Sequence, residues 1–128
     1  MRRASLYSQE VFQGETVRFQ NRITDTAGVA LTADAVTNWS MRAYENGALV
    51  KKIVDNSTDS TTAFFNTLQT GNGWDIDATG YNFEYVMQGD AFKMEGGKSY
   101  RIEFDARTET EKVKWVWTLR VLPWMGTT

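Results

Sequence analysis

The chain has 128 residues, enough for one domain whose folding removes about two-thirds of the unfolded chain's surface from water. It contains no cysteine and no histidine, which excludes disulfides, thiolate chemistry, Cys- or His-based metal sites and the commonest general base. A formal net charge of −2 gives no general attraction to nucleic acid or an anionic membrane, and no apolar run reaches the ~18 residues of a membrane-spanning helix.

Behind the basic Met1-Arg2-Arg3, the chain turns polar before any apolar run of signal-peptide length develops. Residues 6–12 read as a first strand or an extended arm. From Glu15 to Thr24, Val17, Phe19 and Ile23 fall on one face and Arg18, Gln20 and Arg22 on the other, the period of a half-buried antiparallel strand. Asn21 interrupts the apolar row. Asp25-Thr26-Ala27-Gly28 supplies a side-chain acceptor and a flexible glycine for a reversal. Alternation resumes over residues 37–44 with Trp39, Met41 and Ala43.

Glu45-Asn46-Gly47 is the signature of a type I′ hairpin, which makes residues 48–54 the returning strand, with Leu49 and either Ile53 or Val54 predicted at the core. The polar residues 55–62 predict a long exposed loop. Residues 63–68 fit a short strand or one helical turn. After Gly71-Asn72-Gly73, Trp74, Ile76 and Ala78 alternate against Asp75 and Asp77, and Tyr81, Phe83, Tyr85 and Met87 continue as a strand past a bend or bulge at Gly80.

Gly96-Gly97 marks another turn. Tyr100, Ile102, Phe104 and Ala106 then form an inward row opposite Arg101, Glu103, Asp105 and Arg107. In the last strand Val113, Trp115, Trp117, Leu119 and Val121 face one way, while Lys114, Thr118 and Arg120 face the other. Val116 and Leu122 dilute that second face and predict cover on both sides. Seven or eight short strands with frequent turns and no long amphipathic helix point to an all-β chain, an antiparallel β-sandwich or small barrel, of which the sandwich is the preferred reading. It reads as a single domain over residues 1–128, with a short N-terminal arm (1–12) and a C-terminal tail (123–128).

Asp55, Asp59, Asp75 and Asp77 raise the question of calcium, which needs several oxygens from one compact loop. The EF-hand pattern is absent, and a solvated acidic loop is the better reading. Trp74, Tyr81 and Tyr85 suit stacking on a sugar, but a sandwich of this size needs large residues to fill its core. Serine and threonine have no histidine partner, and neither a Gly-x-Ser-x-Gly elbow nor a phosphate-binding Gly-x-x-x-x-Gly-Lys loop occurs. No catalytic residue, metal ligand or cofactor is therefore assigned, and the chain is expected not to be an enzyme.

Trp115 and Trp117 belong with the core row. Trp124 lies beyond Pro123 and before Met125, where it either tucks back onto the domain or anchors a partner subunit. Arg2 and Arg3, with Leu6 and Tyr7 of the leading segment, form a second docking candidate suited to an acidic neighbour, unless this end is simply disordered. Lys51-Lys52, Lys93 and Lys98 are too scattered for a nucleic-acid stripe and read as solvated strand edges.

Gly14-Glu15-Thr16 before a strand, Asp25-Thr26-Ala27-Gly28, Leu31-Thr32 with Ala35 and a strand bearing Trp39 together resemble a pattern of tailed-bacteriophage structural proteins. Gly97-Lys98-Ser99-Tyr100-Arg101-Ile102-Glu103-Phe104 is similar to a later strand of such modules. The sequence departs from that pattern at Asp34, where the family carries glycine, and in residues 55–62. The resemblance implies an immunoglobulin-like β-sandwich in a head, neck, tail or baseplate. It also implies docking to other virion proteins in a symmetric assembly after synthesis in the host cytoplasm. The chain is expected to be a small stand-alone subunit, which favours a repeated accessory part such as a head decoration or head-fibre base. The rival expectation is a carbohydrate-binding sandwich with exposed aromatics, and a hydrolase using acidic residues alone ranks below both.

Overall fold

The computed structural model describes residues 5–124. Alternating segments become eight strands: β1 (Ser5–Phe12), β2 (Val17–Asn21), β3 (Asn38–Glu45), β4 (Ala48–Ser57), β5 (Phe64–Gln69), β6 (Tyr81–Met87), β7 (Ser99–Arg107) and β8 (Lys112–Leu122). They form a five-stranded sheet in the order β1-β8-β7-β3-β4 and a three-stranded sheet in the order β2-β6-β5. The protein is an all-β sandwich. Its strand pairs are antiparallel except β1 with β8, which run parallel from Ser5 opposite Trp115 to Phe12 opposite Leu122.

The predicted rows of β7 and β8 point between the sheets. Tyr100, Ile102, Phe104 and Ala106 are buried, as are Val113, Trp115, Leu119 and Val121. Phe104 and Trp115 stack with ring centroids 5.3 Å apart, and Phe83 from the opposite sheet meets both edge-on, at 5.5 and 5.1 Å. Trp39 of β3 lies edge-on to Phe83 and Phe64. These offset and edge contacts match the ring quadrupoles and add to the stabilisation from buried area. Val116 is also buried although it faces away from this core, but Lys114, Thr118 and Arg120 on the same face are exposed, so β8 is not covered on both sides along its length.

Two polar devices secure the connections. The Tyr100 hydroxyl accepts from the Glu95 N–H at 2.9 Å and lies 3.4 Å from the Lys93 carbonyl, pinning the β6–β7 crossover to the start of β7. Buried Asn82 accepts from the Ile23 N–H at 2.7 Å and donates to the Ile23 and Leu31 carbonyls at 2.8 and 2.6 Å. One amide side chain thus replaces sheet partners for the irregular segment after β2. That replacement explains why β2 ends at Asn21 and not at Thr24. Asn21 breaks the apolar row because its side-chain Oδ1 accepts from the Trp117 indole N–H at 2.9 Å, joining the two sheets inside the core.

The Asn46-Gly47 hairpin is present, with φ of 50° and 82° as a type I′ turn requires. Other expectations are corrected. Leu49 is exposed because the two-residue hairpin itself pairs it with Tyr44, on the face opposite to buried Ala43 and Met41, while register shifts farther along the pair leave Val54 opposite Met41. Residues 55–62 are not a long loop. β4 continues to Ser57, the Ser40 hydroxyl accepts from the Asn56 N–H at 3.0 Å, and Asp59 caps a short 3-10 turn (Ser60–Thr62) whose buried Ser60 hydroxyl donates to the Ala33 carbonyl. Of the segment that fitted a strand or a helical turn, Phe64–Gln69 takes the strand form. Trp74 to Ala78 form no strand, and Ile76 is 71% exposed.

Phe83→Ala removes the ring shared by both sheets and is expected to cost about 3–5 kcal/mol in urea unfolding, whereas Ile76→Ala should stay within about 0.5 kcal/mol.

Candidate docking surface

Parallel pairing makes β1 and β8 leave their sheet at the same end. The Gln13 N–H continues the ladder to the Leu122 carbonyl at 2.9 Å. The chain then turns back, with the Phe12 N–H donating to Glu15 Oε1 at 2.9 Å and the Glu15 N–H to the Phe12 carbonyl at 3.0 Å. The turn before β7 closes over this junction: the Gly96 N–H donates to Gln13 Oε1 at 3.2 Å, and a Cβ on Gly96 would sit 2.5 Å from Pro123 Cα. Only glycine permits that approach.

On this support stand two exposed rings. Phe12 and Trp124 meet edge-on at 5.4 Å and remain 44% and 55% exposed. Trp124 therefore both contacts the domain and presents a face to solvent. Phe12 was not singled out from the sequence, yet strand parity carried the signal: with Val11 buried, its neighbour Phe12 must point outward.

The other predicted docking residues separate. Tyr7 stacks on Trp117 at 5.1 Å and is half-buried, so it closes the seam between β1 and β8. Leu6 lies in β1 opposite Val116. Arg2, Arg3 and Met125 fall outside the described residues.

The aromatics considered for sugar stacking make no exposed strip. Tyr81 is buried, Tyr85 packs against Trp39 at 5.6 Å, and Trp74 leans on Tyr81 at 5.4 Å. The Trp74 indole donates to the Asp77 carbonyl at 3.1 Å and to its carboxylate at 3.2 Å. Asp77 also accepts from the Thr79 and Gly80 N–H groups at 3.0 Å and pairs with Arg22 at 2.8 Å. The Gly80 N–H foremost, then Arg22, holds its carboxyl down from 3.8 to about 2.

A second clasp lies beside it. Burial raises the Glu84 pKa, but hydrogen bonds from Gln20, Arg18 and Asn72 outweigh it and leave the carboxyl below its usual value. Asp77 and Glu84 thus fasten the 70–80 loop to the β2–β6 sheet, and their acidity is accounted for by structure. Asp55 pairs with Arg42 at 3.8 Å and Asp59 caps its own turn, so the four aspartates do not converge. Among the described residues, no group of three or more Asp, Glu, His or Cys is placed to hold a metal. A cleft of about 540 Å³ between the 25–37 segment and the β7–β8 turn is lined by Asp25, Asp34, Glu109 and Glu111, of which Glu111 accepts from the Thr26 N–H at 2.9 Å.

Compared with known proteins, the chain matches no family model and no curated sequence.

Because Asp77 has a lower pKa folded than unfolded, its clasp stabilises fully above the ordinary value of 3.8 and is lost as pH falls toward about 2. Asp77→Asn should flatten the stability profile across that window and make the 70–80 loop more open to limited proteolysis at neutral pH. An unchanged acid profile would show that Asp77 does not hold the loop.

Proposed function

We propose that this protein is a non-enzymatic structural subunit of a tailed-bacteriophage particle that works by docking to neighbouring virion proteins. The observation that carries the docking role is the exposed Phe12–Trp124 pair, mounted on backbone where β1 and β8 end together. Large rings held rigidly at a surface make low-entropy anchors for a partner. What favours docking over sugar binding is where the aromatics lie: the exposed pair sits at the joined strand ends, while Trp74, Tyr81 and Tyr85 serve the core and the 70–80 loop.

The immunoglobulin-like form of this reading is supported by strand order, with the first strand parallel to the last and β2, β6 and β5 on the facing sheet. A buried Trp39 in the third strand and the Tyr100 hydroxyl corner before β7 point the same way. In place of any disulfide, Phe19 of β2 meets Phe104 of β7 edge-on at 5.4 Å. The assignment to a phage particle rests on the resemblance carried by residues 14–45 and 97–104. Within the structure these supply framework: Leu31, Ala33, Val36 and Trp39 enter the core, and residues 99–104 begin β7.

Recovery of the protein from purified particles of a phage that encodes it tests the virion role; its absence from particles while abundant in the lysate would overturn it. For the docking surface, Trp124→Ala should lower stability by no more than about 0.5–1.5 kcal/mol, the worth of one aromatic contact, yet prevent incorporation. Normal incorporation of a folded Trp124→Ala chain would remove the aromatic pair from the interface.

A further inference from the structure

Among the described residues, the sandwich leaves four strand edges open to further pairing, and they differ in how they discourage it. β4 carries Lys51 and Lys52 and three register shifts against β3. β5 is irregular against β6, and β2 is only five residues long. These are the devices that blunt an edge against intermolecular pairing. β1 has none of them: its register with β8 is unbroken over eight residues, without proline, lysine or bulge.

Backbone direction along β1 follows from two bonds. The Gln13 N–H points to Leu122 of β8, whereas the Phe12 N–H points away from β8 to the Glu15 carboxylate. In a parallel ladder this alternates, so Leu6, Ser8 and Glu10 direct their N–H and C=O groups out of the sheet. An antiparallel strand would meet these groups.

We propose that the occupant of this edge is β1 of a second copy, paired antiparallel about a two-fold axis at Gln9 to join two five-stranded sheets into one of ten. Edge geometry requires outward-directed residues to face one another. An axis at Gln9 meets that condition, with Ser8 of one copy opposite Glu10 of the other. The same register sets half-buried Tyr7 opposite buried Val11 on the core side, apolar against apolar. Glu10 of each copy lies 3.5 Å from its own Arg120, which offsets the charge brought toward the axis. Phe12 keeps its N–H on Glu15, which confines the new ladder to the middle of the strand. This inference deepens the docking reading and rests on it only in that both make contact the protein's work.

The test measures the mass of the full chain by sedimentation or light scattering at concentrations up to about 1 mM, where weak dimers are still populated. The wild type should reach twice 14.6 kDa. Ser8→Pro should return it to a folded monomer, because the Ser8 N–H faces outward and its loss spares the β8 ladder. As a second measurement, Gln9→Cys introduces the only thiol of the chain. On the axis its Cα would lie about 4.5 Å from that of its mate, within disulfide range. Mild oxidation should therefore link it into a covalent dimer far faster than Thr67→Cys on exposed β5. A wild type that stays at 14.6 kDa, a dimer indifferent to Ser8→Pro, or equal linking of the two cysteine variants would overturn the pairing. A monomer that still enters particles would sink this inference alone; a dimer never found in particles would sink the virion role alone.

Discussion

A parallel pair of strands cannot be joined by a tight turn, so β1 and β8 meet only because the intervening strands bring the first and last together. That single pairing sets much of what the surface presents. It carries the junction at Gln13, Leu122 and Gly96, the exposure of Phe12 and Trp124, and the outward direction of the Ser8 and Glu10 backbone. Tyr7 stacked on Trp117, itself bonded to Asn21 of the other sheet, ties the same pairing into the core.

The core shows a division of labour among rings. Phe83, Phe104 and Trp115 fill the centre, while Trp39 bridges from β3 to Phe64 and Phe83 of the facing sheet. The indole nitrogens of Trp39 and Trp115 have no hydrogen-bond partner among the described residues. An unsatisfied buried donor costs about 1–3 kcal/mol, so these rings hold their places through packing. Asn82 shows the opposite logic, its oxygen and nitrogen both bonded to backbone, and Asn21 stands between the two cases: its Oδ1 holds the Trp117 indole while its Nδ2 has no partner among the described residues.

Where side-chain alternation alone decides structure, the sequence was legible. β7 and β8 followed their rows residue by residue, and Asn46-Gly47 marked its hairpin. Where a polar side chain captures backbone, periodicity misled. Asp77 bonds the Thr79 and Gly80 N–H groups, so the alternating Trp74, Ile76 and Ala78 never join a ladder. Ser40 holds Asn56, and β4 runs on into a segment whose composition reads as loop. Leu49 was misplaced because the hairpin register pairs it with Tyr44, whose parity is opposite to that of buried Ala43 and Met41. On the candidate surface, Trp124 was visible from its place beyond Pro123. Its companion Phe12 became legible only once β1 was known to be a strand with Val11 inward.

The parallel register also decides how the sandwich bears load. Ser5 lies beside Trp115 and Phe12 beside Leu122, so the two ends of the described chain leave the β1–β8 ribbon at opposite extremities. Tension applied between them would slide β1 lengthwise along β8 and strain every rung of that ladder together, whereas peeling would break rungs one at a time. The protein is thus built to resist pulling along its strands better than prising across them.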